Sequence, residues 1–367
     1  MFKTSEMLLI CGNNVSLEGA QALKKVSQDS GISLIFEEFL DISTRLLSHT
    51  RFNITFDAIL ESDFCLSLGT NIRMEATLLN VRLKKRAGFG NFKKVAIGLS
   101  ENDTYKTVSL GNSAKTLIQI VEGRHPLCKN FLKAKKPMLV VGHSFGKRLD
   151  SAAIFSVFSY LTQRTKISNS GWFGINFLPL APGCLNSTHV GIDLNKNLNP
   201  LTKKFVLCVG LDFYKNVFRK SSPGSFIVAQ TAFSNPALKR VGLVLPAVSP
   251  FESEETFINL EGRSQKTAIS CSSPPLARSY LQTIRTLFSS KIQRFKKREE
   301  YLSDFKNNNV SFLKALSFTF LPLNQKILKS SLKSSLSNCF LTNAVTKNSL
   351  VMAKCFTRFK QNYTNFI

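Results

Sequence analysis

What this chain lacks narrows it quickly. No apolar run among its 367 residues reaches the roughly eighteen needed to span a bilayer, so no transmembrane helix is expected. Its eight cysteines, at positions 11, 65, 128, 184, 208, 271, 339 and 355, include no pair at C-x-x-C spacing. Neither zinc-ribbon nor ferredoxin-type ligation can be read from them. Most lie among apolar neighbours, as small core residues of a protein in a reducing compartment. Four scattered histidines offer no metal cluster. Acid is scarce too, with 23 Asp+Glu against 49 Lys+Arg and a net charge of +26. Such an excess suits nucleic acid, anionic lipid or acidic protein partners. The basic residues run from end to end without interleaved aromatics or a nucleic-acid motif, so nucleic acid is set aside.

What is there is globular, 43% apolar, and long enough for two α/β domains and an extension. The organising stretch is Ala58–Lys85. Phe64–Leu68 has the uncharged pattern of a strand covered on both faces. Gly69-Thr70-Asn71 breaks it, and a helix follows from about Ile72 to the Gly88/Gly90 stop. Met74, Leu78 and Val81 form one apolar stripe, Leu79 and Leu83 a second; two stripes predict a helix wedged between a sheet and a neighbour. Further strands are predicted at Met7–Cys11, Ile32–Phe36, Val95–Gly98, Met138–Val141, Phe205–Val209, Phe226–Ala229 and Leu243–Leu245. Helices are predicted from the Ser16 cap to Ser30, over Ser113–Glu122 and over Asp150–Gln163. Strands alternating with helices indicate parallel sheets with crossover helices. Asp41–Thr55 and Lys166–Pro200 read as loops, the latter a long surface excursion rich in Asn, Gly, Ser and Pro. Lys133–Pro137 reads as a basic linker. Leu276–Phe305 fits one long helix.

The last 77 residues, from Lys291, carry 14 Lys+Arg against 3 Asp+Glu. Leu328, Leu332, Leu336 and Phe340 recur every four residues between lysines, a basic amphipathic pattern. A helix docked on the body and contact with a membrane surface both fit it.

Two turns invite chemistry. Gly142-His143-Ser144-Phe145-Gly146 matches the G-x-S-x-G nucleophile elbow between strand and helix. An elbow needs an acid and then a histidine downstream, and only Asp150 and His189 are available. A serine hydrolase at Ser144 is therefore a poor reading, and the spacing makes no P-loop. Gly69-Thr70-Asn71 could offer backbone N–H groups to a phosphate. The acid that would hold a ribose at the end of the next strand is replaced by a displaced Glu101. An empty α/β turn is the better reading.

Two distant segments carry the most specific signal. Leu68-Gly69-Thr70-Asn71-Ile72-Arg73-Met74-Glu75-Ala76, with Leu79-Asn80 and Arg82, resembles the GTNPR-x-EAP-x-LN-x-R segment of the NADH dehydrogenase subunit 11 family. This is the large Fe–S subunit of respiratory complex I, in its molybdopterin-oxidoreductase-like C-terminal part. Val244-Leu245-Pro246, Glu252 and Thr256–Gln265, with Glu261-Gly262-Arg263, resemble a second motif of that family. Gly123-Arg124-His125-Pro126 and Lys135-Lys136-Pro137-Met138 match between them. The resemblance covers roughly residues 5–288 and leaves the tail beyond 290 uncovered.

It implies two Rossmann-like α/β lobes with mostly parallel sheets, residues 1–136 and 137–290, followed by a basic amphipathic, helical tail over 291–367. Its vestigial pocket would comprise Gly69, Thr70, Asn71, Arg73, Glu75, Glu261, Gly262, Arg263 and Gln265. Departures bear on the cofactor. Ile72 replaces a proline, Gln230-Thr231-Ala232-Phe233-Ser234 replaces a glycine-bearing turn, and Val241-Gly242-Leu243 replaces Ala-Asp-Val. The resemblance then implies a chain with no catalytic residue, no metal and no cofactor, supporting electron transfer only as a subunit of NADH:ubiquinone oxidoreductase. Its partners would be matrix-arm subunits, including a separate chain bearing the Fe–S clusters, with the tail touching the membrane surface. A retained molybdopterin-binding oxidoreductase is the rival reading. The Phe-rich, AT-biased composition and the lack of a presequence before the first strand suggest synthesis inside the mitochondrion and a place on the matrix side of its inner membrane.

Overall fold

The computed structural model describes residues 3–37, 52–98, 104–148, 150–169, 171–192, 203–211, 224–289, 327–328, 330–332 and 340–364. The chain opens with β1 (Met7–Cys11), α1 (Leu17–Ser30) and β2 (Ser33–Phe36). The Ser16 hydroxyl caps α1 by accepting the Gly19 N–H, and Gly31, at φ +68°, ends it. The chain continues through β3 (Phe64–Leu68), α2 (Ile72–Glu75), α3 (Thr77–Gly88), β4 (Lys93–Ile97) and β5 (Thr107–Ser109). Next come α4 (Ala114–Val121), α5 (Cys128–Lys133), β6 (Pro137–Gly142), α6 (Ser151–Arg164), β7 (Ser168–Asn169), β8 (Trp172–Phe173), β9 (Ile175–Leu178) and α7 (Pro182–Val190). Then β10 (Phe205–Val209), β11 (Phe226–Thr231), β12 (Leu243–Pro246), β13 (Thr256–Ile258) and β14 (Ser264–Lys266) lead to a helix at Tyr280–Phe288.

Two five-stranded parallel sheets result. One has the order β12-β11-β10-β1-β2, the other β5-β4-β3-β6-β9. The strands alternate their faces between two cores. Phe64, Leu66 and Leu68 of β3 join Leu9 and Cys11 of β1, α4 and α6 in the larger core, while Cys65 joins Leu79 and Leu83 of α3 on the outer face. The architecture expected from the sequence, α/β with mostly parallel sheets, is the one observed.

The boundary expected at residues 136/137 does not follow the sheets. β6 pairs with β3, and β10–β12 return to β1, so the second sheet is inserted into the first. Lys135 and Lys136, expected in a linker, donate their backbone N–H groups to the Asp63 carboxylate at 2.6 and 3.0 Å.

Other expectations are also corrected. The single helix from Ile72 is two, because Ala76 (φ −146°, ψ 71°) breaks it and removes Met74 from the register of Leu78 and Val81. Of the two stripes only Leu79 and Leu83 are buried. The excursion at 166–200 contains β9 and α7. β9 is buried throughout, and its Asn176 side chain donates to Leu139 and Gly174 carbonyls and accepts the Asn53 and Ile54 N–H groups. A satisfied polar side chain is admissible in a core strand. The helix expected from Leu276 starts at Tyr280, under a Ser279–Gln282 capping box; its extension past 289 and the 41–51 loop lie outside the described residues.

Candidate functional site

The two motif segments, nearly two hundred residues apart, meet at one groove of about 560 Å³. Gly69 leaves β3 with φ +54° and lets the chain turn into α2. The Thr70 hydroxyl donates to Glu75 Oε2 at 2.6 Å, fixing that carboxylate on the groove wall. Opposite stands the β13–β14 hairpin. Its turn closes through Gly262 N–H to the Asn259 carbonyl at 2.9 Å, with Gly262 at φ +82°. Glu261, Arg263 and Gln265 line the groove with Phe56, Leu180 and Leu260. Glu261 also ties the hairpin to the second sheet. It accepts the Phe56 N–H at 2.8 Å and pairs with Arg263. Burial pushes this carboxyl up, but the Phe56 N–H and the Arg263 and Arg82 guanidinium groups outweigh it and hold it below its ordinary value. Asn71, at the start of α2, is buried, whereas Arg73 is exposed and does not line the groove.

An α/β sheet offers a ligand site at the carboxyl ends of its strands, where the strand order reverses. In the second sheet that point lies between β3 and β6, and the chain's own atoms close it. The Ser144 hydroxyl donates to the Gly69 carbonyl at 2.9 Å. A Cβ at Gly142 would strike the Gly69 oxygen and lie 2.8 Å from the Thr70 Cβ, so two backbones meet where a ligand would enter. The Phe145 side chain, fully buried, packs against Gly69. Ser144 is thus engaged structurally, in a 3-10 turn over His143–Lys147 and not in an elbow.

A strap from the C-terminal part, residues 327–332, crosses the same edge. Arg148 pairs with Asp150 at 2.7 Å and donates to the Leu328, Ser330 and Ser331 carbonyls, while Asp150 accepts the Leu328 N–H at 2.7 Å. Leu332 is buried, and its N–H donates to the Asn112 carbonyl at 2.8 Å. Burial works against the Asp150 carboxylate, but Arg148 and the Leu328 N–H prevail and lower its pKa. The described residues of the strap, 327–328 and 330–332, are not helical, so the four-residue leucine repeat expected to form an amphipathic helix does not do so at Leu328 and Leu332; Leu336 lies outside the described residues. Helices do form further on, at Ala344–Lys347 and Leu350–Thr364.

The first sheet reverses between β1 and β10, and its crevice is closed in the same manner. Gly12 N–H donates to Val209 at 2.8 Å and Asn14 N–H to Gly210 at 3.0 Å. The buried Glu37 at the end of β2 accepts the Asn13 N–H at 3.1 Å. Burial pushes the Cys11 thiol up to about 12, and the Glu37 charge adds to this. No group of three or more His, Cys, Asp or Glu side chains among the described residues is placed to hold a metal ion. Glu101, the displaced acid, lies outside the described residues.

Comparison with known proteins decides the lineage. A family model described as molybdopterin oxidoreductase matches residues 1–290. The chain belongs to the molybdopterin oxidoreductase family. A second model, for the C-terminal region of the NADH-ubiquinone oxidoreductase G subunit, matches residues 311–355, so kinship extends into the tail that the sequence resemblance left uncovered. The NADH-ubiquinone oxidoreductase 75 kDa subunit of Reclinomonas americana is 31% identical over 96% of this chain and 55% of its own length. The NADH-quinone oxidoreductase G subunit of Rickettsia prowazekii is 27% identical over 96% and 53%, and the mitochondrial 78 kDa subunit of Candida albicans 26% over 97% and 52%. This family member spans about half the length of those relatives. Its fold is also that of a chain in the formyltransferase/hydrolase complex of Methylorubrum extorquens, with TM-score 0.54, 14% identity and coverage of 78% and 92% of the two chains. Sequence reasoning missed Phe56, Glu37 and the Arg148–Asp150 pair, whose partners are brought to them only by the tertiary fold.

Proposed function

We propose that this chain is a structural, cofactor-free subunit of mitochondrial NADH:ubiquinone oxidoreductase. It corresponds to the molybdopterin-oxidoreductase-like half of the large Fe–S subunit. The observation that carries this reading is the closed crevice of the second sheet, where Gly142, Ser144 and the 327–332 strap occupy the edge a pterin would need. The kinship of residues 311–355 with the C-terminal region of an NADH-ubiquinone oxidoreductase subunit supports it, since that segment ties the chain to the respiratory branch of the family. Glu261, braced by Arg263, then ties the hairpin to the second sheet through Phe56; Gly69, Thr70 and Glu75 shape the turn into α2, and none of these residues turns over a substrate. The chain sits on the matrix side of the inner membrane as part of the peripheral arm; no helix among the described residues is long and apolar enough to cross a membrane. Its neighbours are other matrix-arm subunits, including the cluster-bearing chain.

Density-gradient sedimentation of solubilised mitochondrial membranes tests the reading. The chain should travel with NADH:ubiquinone oxidoreductase activity, and elemental analysis of the isolated chain should find no molybdenum, iron or zinc. Stoichiometric molybdenum would establish the rival, a pterin-binding oxidoreductase.

A further inference from the structure

Helix α3 leaves one face unused by the fold. Leu79 and Leu83 bury against the second sheet, while Leu78 and Val81, three residues apart, stand 73% and 61% exposed. Lys84 and Lys85 continue the same stripe one turn on, both exposed. The stripe opens into the groove, because Leu78 lines it together with Phe56, Leu180 and Leu260. Arg263, paired with Glu261, also lies at the rim, its side chain 72% exposed. The nearby carboxylates are engaged: Glu75 by Thr70, Glu261 by Phe56 and Arg263, and Asp57 by Arg82. An isolated exposed leucine needs no explanation. Here two apolar side chains adjoin an apolar groove, with cations around them, in a chain of net charge +26.

We propose that the α3 stripe and the adjoining groove bind an acidic segment of another polypeptide, whose apolar side chains cover Leu78 and Val81 and whose carboxylates meet Lys84 and Lys85. This rests on the reading of the chain as a subunit of a larger assembly. Charge complementarity selects the partner. A second copy of this chain would bring the same positive charge to the contact. A nucleic acid would satisfy the lysines but leave Leu78 and Val81 wet. A lipid surface, being flat, would not fill the groove between α3 and the β13–β14 hairpin.

Lysine acylation read by mass spectrometry, on the assembly and on the isolated full chain, tests the surface. Lys84 and Lys85 should react at least about tenfold more slowly in the assembly, as a contact worth that factor in occupancy requires. Carbodiimide, which condenses an amine with a carboxylate, should join one of them to an Asp or Glu of a different polypeptide. Equal rates in a chain that sediments within the assembly overturn the docking surface and leave the subunit reading standing. A chain that sediments alone overturns both. Coupling only to a second copy, or equal protection of the isolated chain by phosphatidylserine vesicles, overturns the acidic-polypeptide assignment. Replacing both apolar residues, Leu78→Ser with Val81→Ser, should leave the melting temperature of the isolated chain unchanged and reduce its incorporation about tenfold.

Discussion

At the scale of single residues, the positions that resemble a binding site hold backbone in place. Gly262 sits at φ +82° in the hairpin turn, with open space around a would-be Cβ. Strain there is purely conformational, about 1–2 kcal/mol for an ordinary L-residue and more for a β-branched one. Gly262→Val should lower the melting temperature and the amount of assembled complex, while Gly262→Asn, which tolerates the left-handed region, should recover most of both. Normal assembly with lost activity per complex would instead give this turn a part in turnover. Asp150 makes a second case. Its folded pKa lies below the ordinary carboxylate value, so its contribution is fully present above the unfolded pKa and fades as pH falls through the lower, folded one. Protease access to residues 327–332 should therefore stay constant through neutral and mildly acid pH and rise only below about pH 4. Asp150→Asn should expose the strap already at neutral pH, because the amide gives Arg148 no charge to pair with. Limited proteolysis across pH reads both, and pH-independent cleavage of the wild type would show that the pair does not hold the strap.

Among the elements, legibility followed locality. β3 and β10 could be placed from residues alone because a central parallel strand is a short apolar run, and α1 because Ser16 and Gly31 bracket it. β9 and α7 could not, since Asn176, Asn186, Ser187 and Thr188 are polar yet buried, each bonded to groups that the tertiary fold or the local helix supplies. The groove's two walls were legible as motifs, but the contact that binds them, Phe56 N–H to Glu261, spans 205 residues. The strap hid for a similar reason. Its leucine spacing imitates a helix, while its partner Asp150 lies 178 residues away. The fold makes this strap part of the body: burying Leu332 contributes about 2 kcal/mol. A chain ending at residue 326 should thus melt several degrees lower, and Leu332→Ser should reproduce much of that loss. Unchanged melting of both in calorimetry would mean that the edge of the second sheet needs no cover.

For the whole molecule, the net charge of +26 makes self-association unfavourable and acidic company favourable. The terminal segment concentrates this property. Lys347, Lys354, Arg358 and Lys360 lie on or beside its two helices, with no acidic residue after Asp304. The Leu350–Thr364 helix presents no buried side chain among its described ones, and Leu350 and Val351 are 81% and 68% exposed. Unlike the strap, this segment adds no buried side chain among its described residues, which leaves its basic face available for the contacts proposed for the chain. Those contacts act over about 8 Å at physiological salt, the distance beyond which exposed charges are screened. Removing residues 340–367 while keeping 327–332 should leave the thermal melt of the isolated chain in place. It should, however, lower the salt concentration at which the chain is washed from the membrane-bound assembly to which we propose it belongs. Fractionation over a salt series measures this, with Lys354→Gln and Arg358→Gln as a milder pair expected to move the release point in the same direction. Release at the wild-type salt concentration by the truncated chain would assign the attachment to the α/β body, where the α3 stripe is the surface left to supply it.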